Sequence, residues 1–365
     1  MKILSIPLLA HDASICILED SKITSYKMEE RFSRNKHDFN YDHVLNNLKD
    51  TFFDKVIITH YFLDNYTYSL EKVKDKLSKI SYQELVTEKE KHHLYHAYSG
   101  FYNSKFDEAI CFSVDASGAI LDNGEIEIES VYHLKRDKKE IRLYQRTREF
   151  RTVKVNDSFW KYISLLDENN LSVGEKYQKI SSKFGYEPID GAGKIMGLAQ
   201  YKNHKEKLQY PYNSKKWKER VDEAYHLQQE TQTHISNMIL KYTEETAIKN
   251  VVISGGYGLN CVANYHYLKQ LKDINLYVDP ICFDAGISIG AAYYHCKDKS
   301  KIEPLKNVYI GYQEETYDLN ELETEQVSYD DIVNLLLQKN IVALFQGKSE
   351  AGQRSLGNRS LLFDP

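Results

Sequence analysis

The chain has no apolar run near the roughly 18 residues that a membrane-spanning helix needs, no excess of positive charge, and no C-x-x-C pair. Each absence removes a class of function. The first leaves no candidate for a spanning helix. The second, a net charge of −5 from 48 Lys and Arg against 53 Asp and Glu, gives no electrostatic footprint for a phosphate backbone, so nucleic acid is a poor candidate partner. The third argues against a zinc knuckle or a dithiol redox motif. The five cysteines, Cys16, Cys111, Cys261, Cys282 and Cys296, are odd in number and scattered, as expected of reduced, mostly buried thiols in a cytoplasmic protein. The opening stretch Met1–Ala10 has the apolar character of a short signal core, but charged and turn residues follow at once, so a buried first strand is expected there. What remains is ordinary globular composition, 42% hydrophobic and 28% charged, over 365 residues. That length suits two domains or one large two-lobed unit.

The most telling stretch is Lys91-His92-His93-Leu94-Tyr95-His96. On a helix, His92 and His96 lie on one face, close enough to share an ion, while His93 points elsewhere. An isolated His-x-x-x-His more often lies on a solvated helix face with no ligand at all. Here the next segment, Ala109 to Asp115, reads as a buried strand delivering a carboxylate. Further on, Leu276–Val278 and Asp279-Pro280-Ile281-Cys282-Phe283-Asp284-Ala285-Gly286 read as strand, acid, glycine and small-residue helix, so Asp284 is expected at a second strand end. His92, His96, Asp115 and Asp284 together make a four-ligand set for a divalent metal, and nitrogen and oxygen donors suit iron, manganese, zinc or nickel.

Turns of small residues recur at strand ends. Ala10-His11-Asp12-Ala13 separates two apolar strands, and Asp115-Ala116-Ser117-Gly118-Ala119 follows a third. Backbone N–H groups in such turns cradle phosphate oxygens, although Asp and Ala in a turn are first of all turn chemistry. Glu29 to Asp38 is a dense mixed-charge run, either a solvated face or a polar site loop. Gly191-Ala192-Gly193-Lys194 to Tyr201 is glycine-rich but lacks a strand before it, so it is neither a Walker A loop nor a dinucleotide fingerprint. Val251–Ser254 runs into Gly255-Gly256 and a helix led by Asn260. This is either a ligand-approach loop or simply a tight βα turn.

The order of strands and helices predicts an α/β fold with two actin- or sugar-kinase-like lobes, each RNase H-like. The expected division is a first lobe over 1–155 carrying the histidine helix, a second lobe over 156–300 carrying the nucleotide loops, and a C-terminal linking segment over 301–365. Residues 120–170 and 201–250 match no motif and are expected to shape an acceptor pocket.

Taken together, His11-Asp12-Ala13-Ser14, Glu29 to His37, the His92/His96 helix, Gly193 to Ala199, Ser254-Gly255-Gly256 with Leu259-Asn260, and Asp284-Ala285-Gly286 resemble the O-carbamoyltransferases, including nodulation-factor and antibiotic-tailoring enzymes. The resemblance implies a domain related to the tRNA threonylcarbamoyl-transferase fold, binding nucleotide and an iron-type metal. It also implies a second, C-terminal domain that makes carbamoyl-adenylate from carbamoyl phosphate and ATP. The carbamoyl group then passes to a hydroxyl of a small molecule or sugar.

On that reading His11 and Asp12 are candidates for the base, and Lys36 with His37 for neutralising the leaving phosphate. Ser117, Gly118, Lys194, Gly255, Gly256 and Asn260 are candidates for nucleotide binding. His11 alternatively caps its own turn. Gly347 to Pro365 resembles the segment joining the two family domains, with Gln353 and Ser355 where proline and alanine are usual. A separate adenylate-forming domain or subunit, or a second copy of the chain, are the expected protein partners. Two other functions compete: a tRNA threonylcarbamoyl-transferase, disfavoured by the acidic balance and the Glu29-Glu30-Arg31-Phe32 cluster, and a non-catalytic nucleotide- and metal-binding subunit of a split enzyme.

Overall fold

The computed structural model describes residues 1–9, 11–46, 48, 51–60, 70–149, 170–203, 214–313 and 323–364. Much of the expected acceptor-pocket sequence, 150–169 and 204–213, lies outside the described residues, as do Ala10 and Pro365.

Two sheets have the same plan. In the first, β1 (Lys2–Leu8), β2 (Ser14–Glu19), β3 (Lys22–Met28), β4 (Phe52–His60) and β5 (Ser81–Glu88) are ordered β3-β2-β1-β4-β5. The β1–β2 and β2–β3 pairs are antiparallel, and the β1–β4 and β4–β5 pairs parallel. In the second, β6 (Glu108–Val114), β7 (Glu125–Lys135), β8 (Ile141–Glu149), β9 (Asn250–Ser254) and β10 (Asn275–Val278) are ordered β8-β7-β6-β9-β10, with the same alternation of sense. A duplicated three-strand meander followed by two parallel crossover strands is the two-lobed α/β architecture expected of the sequence.

The helices are α1 (Glu30–Ser33), α2 (Asp42–Asn46), α3 (Leu70–Leu77), α4 (His92–Ser104), α5 (Val173–Lys183), α6 (Pro188–Ala199), α7 (Lys215–Thr246), α8 (Cys261–Gln270), α9 (Ile287–Tyr294) and α10 (Tyr329–Leu337). The period-two alternation of the strands distributes the core over three layers. Ile15 and Ile17 pack in the outer core of the first sheet, while Cys16 between them faces inward. Ile110, Phe112, Val251 and Ile253 face an outer core under α5 to α8, and Cys111 and Val252 face inward. With both faces covered, the central strands read as continuous apolar runs.

The middle layer holds α4 and α9, whose packing is exchanged. Helix α4 follows the first sheet but lies on β6, β7 and β9 of the second, and α9 follows the second sheet but lies on β1 and β2 of the first. Every residue of α4 is buried. Close crossing demands small residues: a Cβ on Gly290 of α9 would stand 1.8 Å from the Tyr95 carbonyl oxygen of α4, and one on Gly100 would stand 2.6 Å from a Val252 methyl.

The sheets divide between β5 and β6, not at residue 155. Strands β6 to β8 open the second sheet, and β5 completes the first. Edge strand β5 is mostly polar and largely exposed, so its alternation gives no core signal, and without it the hairpin over 125–149 stands in as the end of the first lobe. The glycine-rich stretch is helix α6, started by Pro188 at its first turn. Residues 301–364 are also more than a linker: Ile302 and Ala351 join the middle core, and α10 is followed by the hairpin β11 (Val342–Phe345) and β12 (Arg359–Leu362).

Two glycine substitutions test this packing by thermal unfolding. Gly290→Ala is expected to lose about 3 kcal/mol or more, because the clash is with backbone. Gly197→Ala in α6, where an added Cβ meets nothing within 4 Å, is expected to gain about 0.5–1 kcal/mol from helix propensity.

Candidate metal centre and cleft

Four side chains from three places in the chain converge where α4 and α9 cross. His92 and His96 come from the first turns of α4, Asp115 from the residue after β6, and Asp284 from the short turn Asp284–Gly286 that leads into α9. Asp284 is therefore delivered by a helix entrance and not by a strand end, since β10 stops at Val278. One ligand atom from each of the four lies within 4.8 Å of all the others.

His96 Nε2 is 3.2 Å from Asp115 Oδ2 and 3.4 Å from Asp284 Oδ1, and His92 Nε2 is 3.8 and 3.6 Å from the same two oxygens. Donors at metal-bond lengths of about 2.1 Å around one ion stand roughly 3.0–3.4 Å apart, so the spacing fits a divalent cation. His96 Nε2, which faces the two carboxylates, is buried without a hydrogen bond of good geometry, as expected of a group built to ligate. The two carboxylates are only 13% and 11% exposed. Burial alone would raise the Asp115 carboxyl, but His92 and His96 hold it well below its usual range. Burial likewise works against a charge on His96, and the two carboxylates overcome it, raising the imidazole to about 9.

Around the four, neighbours fix the ligands. Asp115 accepts N–H bonds from Ala116 at 2.7 Å and Gly256 at 3.2 Å. Ser14 Oγ donates to the Ala285 carbonyl at 2.8 Å, tying β2 to the turn that carries Asp284. His93 points away, its Nδ1 2.9 Å from Ser130 Oγ, and burial pushes its pKa down to about 3.

A second set of charges adjoins the first. His11 Nδ1 is 2.8 Å from Asp12 Oδ2, and its Nε2 is 3.6 Å from Asp284 Oδ2. His37 bridges Asp12 and Asp190, with Nδ1 2.8 Å from Asp12 Oδ1 and Nε2 3.1 Å from Asp190 Oδ1. Lys36 also pairs with Asp190, so the contact joins the loop after α1 to helix α6 of the other lobe. Asp12 and His37 both have left-handed backbone, at φ 57° and 58°, a conformation that costs energy in residues with a side chain and recurs at functional sites. The loop is held by Glu30, which accepts the His37 N–H at 3.1 Å. Burial opposes charge on His11, but Asp12, then Asp284 and Asp115, raise it to about 9. Asp12, in turn, is held far below its usual range by the two imidazoles against the effect of burial.

A cleft of about 300 Å³ opens over both sets, lined by His11, Asp12, Lys36, Asp115, Asp190, Gly256, Asn260 and Asp284 among others. Of the remaining residues expected to bind nucleotide, Gly255 sits under the turn at φ 86°, where a Cβ would be 2.3 Å from the Val114 carbonyl oxygen. Gly118 is packed against His93 and Glu127 and does not line the cleft. Neither does Ser117, nor Lys194, whose ammonium lies over the Tyr186 ring. A glycine demanded by close side-chain packing looks in sequence like one demanded by a ligand.

Asn260 caps α8 through the Ala263 N–H, accepts from Gln228, and donates to Tyr177 and Gln228. Its hydrogen-bonding capacity is thus spent on building the cleft wall. Asp190, Tyr177 and Gln228 were not singled out from the sequence. The signal for Tyr177 and Gln228 is a polar group on the buried side of a helix, whereas Asp190 carries none.

Residues 231–293 match the family described as carbamoyltransferase N-terminus, and residues 333–365 match carbamoyltransferase C-terminus. In these two segments the chain is similar to carbamoyltransferases. Among its relatives, an uncharacterised protein of Methanocaldococcus jannaschii is 26% identical, the match covering 97% of this chain and 72% of that protein. Nodulation protein NolNO of Sinorhizobium fredii is 24% identical over 75% of this chain and 43% of its own length. The chain spans about half the length of the nodulation proteins it matches. Among solved structures, HypF of T. kodakarensis shares the fold, with a TM-score of 0.50 and 13% identity over 83% of this chain and 49% of that one. Segments similar to carbamoyltransferases and a two-lobed α/β scaffold thus meet in one polypeptide. No described helix is long and apolar enough to cross a membrane.

Two measurements follow. Purified protein is expected to take up about one equivalent of divalent metal, and His96→Ala or Asp284→Asn to retain almost none, as read by elemental analysis after dialysis. His37 is half-buried, which disfavours its charge, yet Asp12 and Asp190 raise its pKa above the ordinary 6.5, so its contribution to stability is complete below pH 6.5 and fades as pH rises through the folded value. Asp12 must be ionised for the pair to form, and its ordinary pKa is 3.8. The melting-temperature gap between wild type and His37→Gln is therefore expected to be widest between about pH 4 and 6.5, and to close in alkaline buffer.

Proposed function

We propose that the cleft holds a carbamoyl-adenylate beside a divalent metal and transfers its carbamoyl group to a hydroxyl of a small molecule or sugar. The observation that carries this reading is the adjacency of the His92, His96, Asp115, Asp284 cluster to the His11–Asp12–His37 set, with Asp115, Asp284, His11 and Asp12 lining one cleft of a chain similar to carbamoyltransferases. The first is a metal-ligand set and the second a proton-handling set.

A bound ion, iron or another cation that accepts nitrogen and oxygen donors, would supply positive charge that offsets Asp115 and Asp284 and polarises a ligand oxygen. With that charge offset, the field that raises His11 would be weaker, with Asp12 still holding the imidazole. Asp12 holds the Nδ1–H of His11, which leaves Nε2 free to accept the proton of an attacking hydroxyl. A neutral hydroxyl is a poor nucleophile at pH 7, so this transfer is where the residues of the chain contribute most. The hydroxyl oxygen bonds to the carbamoyl carbon, the bond from that carbon to the adenylate phosphate oxygen breaks, and AMP leaves with the electron pair. Lys36 and His37, anchored on Asp190, place positive charge beside the departing phosphate. Gly256 and the wall built by Tyr177, Gln228 and Asn260 offer main chain and ring surface to the nucleoside.

The donor would be made from carbamoyl phosphate and ATP by a separate or appended domain. Support for its docking place comes from the end of the chain. Helix α10 buries none of its residues, and Tyr329, Leu337, Ile341, Leu361 and Phe363 are between 65% and 77% exposed. Clustered apolar exposure on this scale marks a surface made to be covered.

Synthetic carbamoyl-adenylate supplied to the chain with hydroxylated acceptors tests the reading. AMP release that depends on acceptor and metal is expected, with Asp12→Asn slower by about 10²–10⁴-fold at unchanged metal content. Nucleotide binding without turnover across a panel of sugars would instead point to a non-catalytic subunit, and turnover on tRNA alone would point to the threonylcarbamoyl reaction.

A further inference from the structure

One wall of the cleft belongs to neither sheet. Residues 349–354 are fastened to both lobes. Ser349 and Ala351 N–H groups donate to the Tyr312 and Val308 carbonyls at 2.9 and 2.8 Å. Arg31, from the first lobe, donates to the Gly352 carbonyl at 3.3 Å. On the other side, a Cβ on Gly352 would stand 2.8 Å from the Pro280 carbonyl oxygen. Glu350, 2% exposed, accepts N–H bonds from Leu356, Asn358 and Arg359 at 2.8, 3.0 and 3.3 Å, so the following loop is wound around a buried carboxylate.

This anchoring brings Gln353 and Arg354 to line the cleft. Arg354 donates to the Leu259 carbonyl at 3.3 Å, next to Asn260 at the start of α8. A guanidinium carries five N–H donors, and this contact uses one. Lys36, across the cleft, is held by Asp190, whereas among the described residues no carboxylate pairs with Arg354. A fork-shaped cation with no carboxylate partner among the described residues, on the rim of a cleft next to a helix N-terminus, is arranged for an anion of phosphate geometry.

We propose that Arg354 recognises the phosphate of the nucleotide bound in the cleft, so that the segment after the second lobe is part of the ligand site. This rests on the nucleotide reading given above and deepens it: Arg354 would separate adenylates from unphosphorylated adenosine.

Titration calorimetry of the full chain with AMP and with adenosine tests it, using wild type, Arg354→Ala and Arg354→Lys. Wild type is expected to prefer AMP. Arg354→Ala is expected to lose about 10–100-fold in AMP affinity while adenosine binding stays unchanged, and Arg354→Lys to recover part of the loss. An AMP-to-adenosine preference that is the same in wild type and Arg354→Ala, with both ligands bound and the melting temperature unaltered, overturns the assignment of Arg354. Failure of wild type to bind either ligand overturns the nucleotide reading itself.

Discussion

Two carboxylates and two imidazoles share a volume from which water is largely excluded, and most of the fold serves to hold them there. Asp115 and Asp284 are like charges whose oxygens approach the same pair of imidazole nitrogens at 3.2 to 3.8 Å. Such an arrangement is unfavourable unless positive charge balances it, from protonated imidazoles or from an ion. The ligands come from α4, from the end of β6 and from the entrance of α9. Their distances are therefore set by the crossing of the two central helices, and that crossing is set by Gly290 lying against the Tyr95 carbonyl.

The same crossing explains how the lobes cooperate. Ser14 on the first sheet bonds to the Ala285 carbonyl of the turn leading into α9, and Asp12, at the end of the preceding turn, reaches His37 and through it Asp190 on the second lobe. The four candidate ligands and the His11–Asp12–His37 set thus hang on elements that cannot shift independently. Rigid elements carrying the reactive groups, with a loop-borne cation at the rim, form a division of labour in which chemistry needs fixed geometry and ligand entry needs an opening.

Much of this was legible in the sequence because its signals are local. The continuous apolar run Ile15-Cys16-Ile17 announces a strand buried on both faces, and the four-residue spacing of His92 and His96 announces a shared helix face. Asn260 marks the start of a helix. What escaped depends on contacts between distant residues. Edge strand β5 carries no apolar alternation, which moved the lobe boundary. The Asp190 contact with His37 spans 153 residues of separation and leaves no motif. Gly118 and Asn260 look like ligand-binding residues for a physical reason: a tight packing contact and a saturated buried amide select the same residue types as a ligand does.

The exchange of α4 and α9 reaches beyond the site. Each half of the chain covers the inner face of the other half's sheet with its own last helix, so neither half is a self-sufficient folding unit. A polypeptide made of one such half would complete itself only by embracing a twin, each lending its final helix to the other. Joined in one chain, the halves keep that mutual loan as an internal seam, and the ligand cluster lies on the seam.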